Sequence, residues 1–411
     1  KYLGLKEAIN QRLDEIAQTY EIELIAQTID QKFRKLIELL AEKHGKVVVL
    51  IDEYDKPIID YLGTDTEKAI ENREIMKTFY SILKDADPHI KLVFITGVSK
   101  FSRVSIFSDL NNLQDLTLDD RFSASCGITQ EELENNFVEE LKIFDPKTIK
   151  SWYNGYTWDL ITSVYNPFSL LNFFIKKKFQ NYWFETGTPT FLINLSKKQY
   201  LYAFKDIRVA SSQLSAYNLE NLEIVPLMFQ TGYLTIKEYD EIDDTYLLDY
   251  PNREVKASYL ESLVGSYMQS PIDNGLVLVG EMRRALLAFE LEKLQNIINT
   301  LFKAIPYSIW QNENEHFYHA ILHLTFSLLG VFVDSEVQTS DGRIDTLVRL
   351  EKYVYCFEFK LNGSASGALQ QILDKGYLTP YLHSGKQCIA IGVNFSKETK
   401  KVQEIKWQEV L

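Results

Sequence analysis

Five consecutive apolar residues, Val47-Val48-Val49-Leu50-Ile51, four of them β-branched, constrain this chain more than any other stretch. A run of that kind fits a strand buried on both faces of a parallel sheet, where no position has to meet water. Helical patterns bracket it. Leu5, Ala8, Ile9, Leu13, Ile16 and Ala17 recur at helical spacing over 5–20. Ile29, Phe33, Leu36, Ile37 and Leu40 repeat the pattern, and Gly45 closes that second helix. After the run, Ile75, Met76, Phe79, Ile82 and Leu83 mark another helix, and Leu92-Val93-Phe94-Ile95 a second buried strand. Strand, helix and strand within about fifty residues make a βαβ unit.

The first of these strands runs straight into Asp52-Glu53-Tyr54-Asp55. Two acids at the carboxyl end of a buried strand fit a Walker B site, with Asp52 holding Mg²⁺ and Glu53 polarising the attacking water. The second strand ends in Thr96-Gly97-Val98-Ser99, where Thr96 would sense the γ-phosphate, because ligands of such sheets bind at the carboxyl ends of the strands. Arg103 and Arg121 are further phosphate-sensing candidates that the spacing does not select. A plain α/β domain, polar at its strand ends because they meet water, predicts the same acids. The phosphate loop decides between the two. GxxxxGK[ST] occurs nowhere: Gly45-Lys46 has Leu40 where the first glycine belongs, and Gly385-Lys386 is followed by Gln387. Phosphates then lack both a backbone cradle and a lysine. ATP is expected as a cofactor only if a P-loop stands upstream of Lys1.

Past residue 128 the pattern changes. Thr129 and Glu132 have capping-box spacing at the start of a helix. The aromatic segment Trp152-Tyr153-Asn154-Gly155-Tyr156-Thr157-Trp158 follows. Residues 228–255 read as short strands with turns, and 256–304 as helices carrying Leu260, Leu263, Met268, Leu286, Leu287, Leu294, Ile297, Ile298 and Leu301. Pro306 marks a boundary. The expected fold class is therefore multidomain α/β. It comprises a partial P-loop ATPase-like domain over 1–150, a helical and winged-helix-like region over 151–305, and a smaller α/β domain over 306–411.

In that last segment a helix over 312–329 presents Phe317, Ala320, Ile321, Leu324 and Leu328 to a core, and Val331 to Val337 are strand-like. Asp341-Gly342 signals a turn, followed by strands over 343–350 and 353–360 and a helix over 366–375. Alternation puts Glu358 and Lys360 on one face of the second strand, and Phe357 and Phe359 on the other. An acid and a lysine on an otherwise apolar strand are costly unless they pair or hold a cation. Asp345, on the preceding strand, is within reach across a hairpin. Two carboxylates and a backbone carbonyl suit Mg²⁺ or Mn²⁺, which can activate water and stabilise charge on a phosphoryl oxygen. Lys360 would orient the water or stabilise the pentacovalent phosphate. The helix adds Gln371 and Lys375 on one face, and the earlier helix adds Glu315, His319 and His323 as a polar stripe. Glu-x-Lys alone is common on solvated strands, and the order of the whole set is what gives it weight. His319 and His323 also have zinc-ligand spacing, but no third ligand recommends itself.

Glu315, Gly342-Arg343-Ile344-Asp345, Glu358-Phe359-Lys360, Gln371 and Lys375 together resemble the PD-(D/E)XK nuclease superfamily. The resemblance implies Asp345 and Glu358 as metal ligands, Lys360 as the catalytic lysine, Gln371 as the helix residue touching the site, and Glu315 as an accessory acid. Asp52-Glu53-Tyr54-Asp55-Lys56-Pro57, Thr96 to Ser102, Trp152 to Tyr156 and Pro251-Asn252-Arg253-Glu254-Val255 are similar to bacterial AAA-ATPase-like proteins that end in such a nuclease domain. In that family a P-loop precedes the point where this sequence begins.

Charge and composition bear on partners. Net charge is −13, which opposes nucleic-acid binding, since Lys and Arg make phosphate contacts. The segment from Pro306 to Leu411 carries only −2 of it. The expected partner is nucleic acid, DNA ahead of RNA, with no membrane and with a homo-oligomer left open. Three scattered cysteines and no signal peptide point to the cytoplasm. The leading expectation is a metal-dependent nuclease coupled to an ATPase-like module. The alternative is a nucleotide-switched signalling or scaffold protein whose nuclease-like domain only binds.

Overall fold

The computed structural model describes residues 4–98, 110, 112–183, 190–199, 206–214, 223–268, 273–305, 315–332 and 346–411. Strands β1 (Val47–Ile51) and β2 (Ile90–Ile95) pair in parallel, Val49 beside Val93 and Ile51 beside Ile95. The helices Leu5–Thr19, Ile29–His44 and Thr66–Asp85 form the layer around them. Phe33 stacks on Phe79 at 4.6 Å, and Leu36, Ile37, Met76 and Leu83 are buried with Val49. The βαβ expectation holds, but burial of β1 on both faces does not. Val48, Leu50, Leu92 and Phe94 are all exposed, Leu50 at 70 %. Among the described residues the helices cover one face of this two-stranded sheet, so its strands alternate in burial although their sequence does not.

The capping box at Thr129 forms as the spacing predicts. Glu132 N donates to Thr129 Oγ1 at 3.2 Å, and Thr129 N donates to Glu132 Oε2 at 2.8 Å, opening the helix Gln130–Asn136. The short strands β3 (Ile128–Thr129) and β4 (Val164–Tyr165) pair antiparallel beside an aromatic core of Trp152, Tyr153, Phe173 and Tyr182. A three-stranded antiparallel sheet follows, ordered β5 (Ile207–Ala210), β7 (Thr245–Asp249), β6 (Thr235–Asp240). Phe229 and Gln230, expected in a strand, instead end the helix Ile224–Gln230. Ile224, Leu227 and Met228 are buried at i, i+3 and i+4 there, and that spacing outweighs the β propensity of the residues after them.

Helices Arg253–Met268, Asp273–Leu287 and Leu291–Lys303 lead to the last sheet, ordered β11 (Lys401–Val410), β10 (Gln387–Ser396), β9 (Tyr353–Leu361), β8 (Thr346–Arg349). β9 and β10 are parallel, joined through the helix Ala365–Lys375, and the two outer strands are antiparallel. One face carries Tyr355, Phe357, Phe359, Ile391, Val393 and Phe395. It is sealed by Phe326 of the helix Glu315–Phe332, 5.0 Å from Phe357, and by Phe302, 5.1 Å from Phe395. Burying each such ring contributes about 1.5–3 kcal/mol. Val331 and Phe332, read from sequence as strand-like, continue that helix, because an apolar run carries no period that separates strand from buried helix. The opposite face holds Leu347, Val354, Cys356, Cys388 and Ala390 against Ile372. Side chains also tie this sheet to the helices before it. Asn299 Oδ1 accepts from Val402 N at 2.7 Å, and Tyr355 donates from its hydroxyl to Leu286 O at 2.6 Å.

Candidate active site

On the Ile372 face of the last sheet, β9 changes character from Val354 and Cys356 to Glu358 and Lys360. Glu358 is buried at 4 % exposure, while Phe357 and Phe359 point the other way, as strand alternation requires. Its Oε1 accepts from Lys360 Nζ at 3.1 Å and, through a short hydrogen bond, from Gln371 Nε2. Lys360 keeps 36 % of its side chain exposed, against 5 % for Glu358. A carboxylate so desolvated costs several kcal/mol unless charge and hydrogen bonds offset it. Here a lysine from its own strand and an amide from the covering helix supply both.

What lets the helix reach Glu358 is Gly392. It lies beside Glu358 in the parallel β9–β10 ladder. A Cβ at that position would stand 2.1 Å from Ala365 O and 2.5 Å from Leu369 N, so the helix backbone rests directly on the strand. Sequence reading missed this residue, although a glycine inside an apolar strand is a signal of close backbone approach. It also missed Asn394, beside Lys360 in the same ladder. Asn394 Oδ1 accepts from Gly363 N at 2.9 Å and braces the turn between β9 and the helix.

Of the residues expected here, the structure brings together Glu358, Lys360 and Gln371. Lys375, one turn beyond Gln371, is exposed and does not join them. Asp345, with Gly342 and Arg343, lies outside the described residues, as do the side chains of Glu315 and His319, while His323 is half-buried. Among the described residues no three His, Cys, Asp or Glu side chains gather into a metal cluster.

The amino-terminal set also converges. At the carboxyl ends of β1 and β2, Thr96 donates a short hydrogen bond from its hydroxyl to Asp52 Oδ1, and Thr96 Oγ1 accepts from Glu53 N at 3.3 Å. Glu53 adopts a left-handed backbone, φ 49°, at this turn, a conformation that costs free energy in a residue with a Cβ. Asp55 is fully buried, and its Oδ1 accepts from Val98 N at 3.2 Å. Tyr80 nearby is raised by burial and by the Asp55 charge. Arg121 is engaged by Asp119 at 2.6 Å, and Arg103 falls outside the described residues.

The two remaining family-like segments meet each other. Gly155, at φ 118°, passes so close to Pro251 O that an added Cβ would lie 2.0 Å from it. Arg253 lies over the Trp152 ring at 5.0 Å, and Asn252 Oδ1 accepts from Val255 N at 3.0 Å, capping the helix Arg253–Met268. Glu254 is fully buried; its Oε1 accepts from Trp183 N at 2.9 Å, and burial pushes its carboxyl up to about 7.

Residues 2–107 match the family model described as a predicted AAA-ATPase, and residues 313–405 match that of the PD-(D/E)XK nuclease superfamily. A protein of Azotobacter chroococcum mcd 1, described as an uncharacterized protein in vnfD 5'region, is 41 % identical over 379 residues, covering 89 % of this chain and 73 % of the relative. No solved structure matches. No helix among the described residues is long and apolar enough to cross a membrane.

Proposed function

Because the chain belongs to the family of AAA-ATPase-like proteins that end in a PD-(D/E)XK nuclease-superfamily domain, we propose that it is a metal-dependent nuclease acting on DNA, positioned or regulated by its ATPase-like module. The observation that carries the reading is the convergence of Lys360 and Gln371 on one oxygen of the buried Glu358 carboxylate.

The donor set fits a hard divalent ion in part. Glu358 supplies a dry, oriented carboxylate, and one or two such acids hold a hard ion together with waters and substrate oxygens. The second acid would be Asp345. It directly precedes β8, whose first residue Thr346 pairs with Phe357, the neighbour of Glu358. Mg²⁺ or Mn²⁺ bound between the two acids would supply Lewis acidity toward water and the phosphoryl oxygen. Lys360, half in solvent, would hold or hand over a proton of the attacking water and place positive charge beside the phosphate. Gln371 would keep the Glu358 carboxylate in one orientation, with Glu315 as an accessory acid from the helix it opens.

In the amino-terminal module, Asp52, Glu53 and Thr96 would form the metal and water side of a nucleotide site, and ATP binding would require a P-loop upstream of Lys1. The middle region, with its three-stranded sheet and adjoining helices, would act as a winged-helix-like connector. The domains would fall at 1–150, 151–305 and 306–411. A cytoplasmic setting completes the reading.

The test is Mn²⁺ calorimetry together with cleavage of plasmid DNA and of RNA. Glu358→Ala and Asp345→Ala are each expected to lose both metal binding and cleavage while keeping the wild-type circular dichroism spectrum. Cleavage that survives in both variants defeats the reading. Metal binding without cleavage by the wild type favours the scaffold alternative.

A further inference from the structure

Beyond Lys360, at the carboxyl ends of β9 and β10, lies a groove of about 590 Å³ lined by polar side chains. It adjoins the lysine directly. Asn394 sits beside Lys360 in the ladder, and a Cβ on Gly363 would lie 3.0 Å from Lys360 Cβ. The hydrogen bonds around the groove have one direction. Asn362 Oδ1 accepts from Lys397 N at 2.9 Å, Asn394 Oδ1 from Gly363 N at 2.9 Å, and Gln403 Oε1 from Asn394 Nδ2 at 3.3 Å. Each carboxamide oxygen is thus engaged within the protein. The groups left for a ligand are donors: Asn362 Nδ2, Gln403 Nε2 and Lys397 Nζ have no protein partner among the described residues. Among the described residues, Glu398 is the one acid that lines the groove.

A rim of N–H donors around one lysine suits an anion with several acceptor oxygens. We propose that this groove is a phosphodiester subsite, holding a backbone phosphate of the nucleic-acid strand next to the one presented at Glu358 and Lys360. Its adjacency to that phosphate rests on the nuclease reading. The contact is to backbone and not to base edges, so it positions the strand without reading sequence. It also answers the charge problem in part, since an acidic chain can still present donors locally along one strand path. The turn of residues 361–364 is braced on both sides, by Asn394 at Gly363 and by the Lys397 backbone at Asn362, so the Asn362 and Gln403 amides are oriented before a strand arrives.

The experiment is fluorescence anisotropy of the full chain with a labelled random-sequence DNA duplex in EDTA, across about 50–200 mM salt. Lys397→Ala is expected to lower the slope of log affinity against log salt by about one, equally for all sequences, and Lys397→Arg to restore it. Gln403→Glu keeps the oxygen that Asn394 needs but turns a donor into an acceptor, and should weaken binding several-fold. Glu398→Gln should tighten it. Unaltered melting temperatures in these exposed-site variants would separate binding from folding.

Wild-type slopes in both Lys397→Ala and Gln403→Glu overturn the subsite, as does a wild type that binds no DNA. Inorganic phosphate bound by the wild type alone, with DNA affinity unchanged in the variants, also overturns it, leaving a site for the free ion. Cleavage assays with Mn²⁺ report on the other reading separately. DNA cut by the wild type with unchanged variant binding sinks the groove alone. Altered variant binding without any cleavage sinks the nuclease alone.

Discussion

Replacing Gly392 by alanine perturbs the site without touching any group proposed to do chemistry. The added Cβ would stand 2.1 Å from Ala365 O, 2.5 Å from Leu369 N and 3.1 Å from Ala368 Cβ. The nearest approach is about 1 Å short of van der Waals contact, and the two closest atoms are helix backbone, which moves only with its whole helix. Overpacking of this kind costs about 1–3 kcal/mol, and a backbone obstacle puts the expectation at the upper end. The relief is a shift of the helix Ala365–Lys375 by about 1 Å, which carries Gln371 away from Glu358. A misplacement of that size costs on the order of 100-fold in rate. Thermal unfolding followed by circular dichroism should therefore show a melting temperature lower by several degrees, and Mn²⁺-dependent cleavage should fall by about two orders of magnitude. Gly280→Ala is the matched control. Its Cβ would meet only Arg284 Nη1, at 3.6 Å, inside a helix, so that variant should gain up to about 1 kcal/mol. If Gly392→Ala melts and cleaves like the wild type, the helix does not rest on β10 as described, and the account of how Gln371 reaches Glu358 is wrong.

The remaining predictions concern the scaffold. Burial raises the Glu254 carboxyl to about 7, well above the usual carboxylate range, so the folded state favours its protonated form. That contribution, about 3 kcal/mol, is fully present below the unfolded-state value near 4.5 and is lost as pH rises through about 7. Glu254→Gln keeps an acceptor for Trp183 N without the charge. In chemical denaturation it should hold its stability across that window and exceed the wild type at pH 8; identical pH profiles would refute the buried-acid account. Thr129→Ala removes the oxygen that Glu132 N reaches at 3.2 Å and should cost about 1 kcal/mol in the same measurement; no loss would mean that the capping box contributes nothing to the fold.

Local rules carried the sequence reading a long way, and it stopped where they stop. The Thr129–Glu132 box depends on residues three apart and forms as its spacing says. The sharing of one face by Glu358 and Lys360 follows from the two-residue repeat of a strand and was legible for the same reason. The Ile224–Gln230 helix was missed because aromatic and β-branched neighbours obscured its short apolar stripe. That the described residues leave one face of β1 and β2 exposed could not be foreseen, since an unbroken apolar run states what a strand tolerates and not what covers it.

By itself, then, the chain's order of residues determined periodicity, caps, the acids at the strand ends and the identity of the groups available for chemistry. Tertiary structure decided which of them meet. Gln371 reaches Glu358 because β10 runs parallel to β9 and places a glycine under the covering helix, thirty-four residues beyond the acid. Asn394, Gly363 and Gln403 form one hydrogen-bonded brace only after the β9 turn and the β10–β11 hairpin come together. A side chain's type and the face it points from are properties of its near neighbours along the chain. The distance between two side chains on different elements depends on how closely the backbones between them can pack.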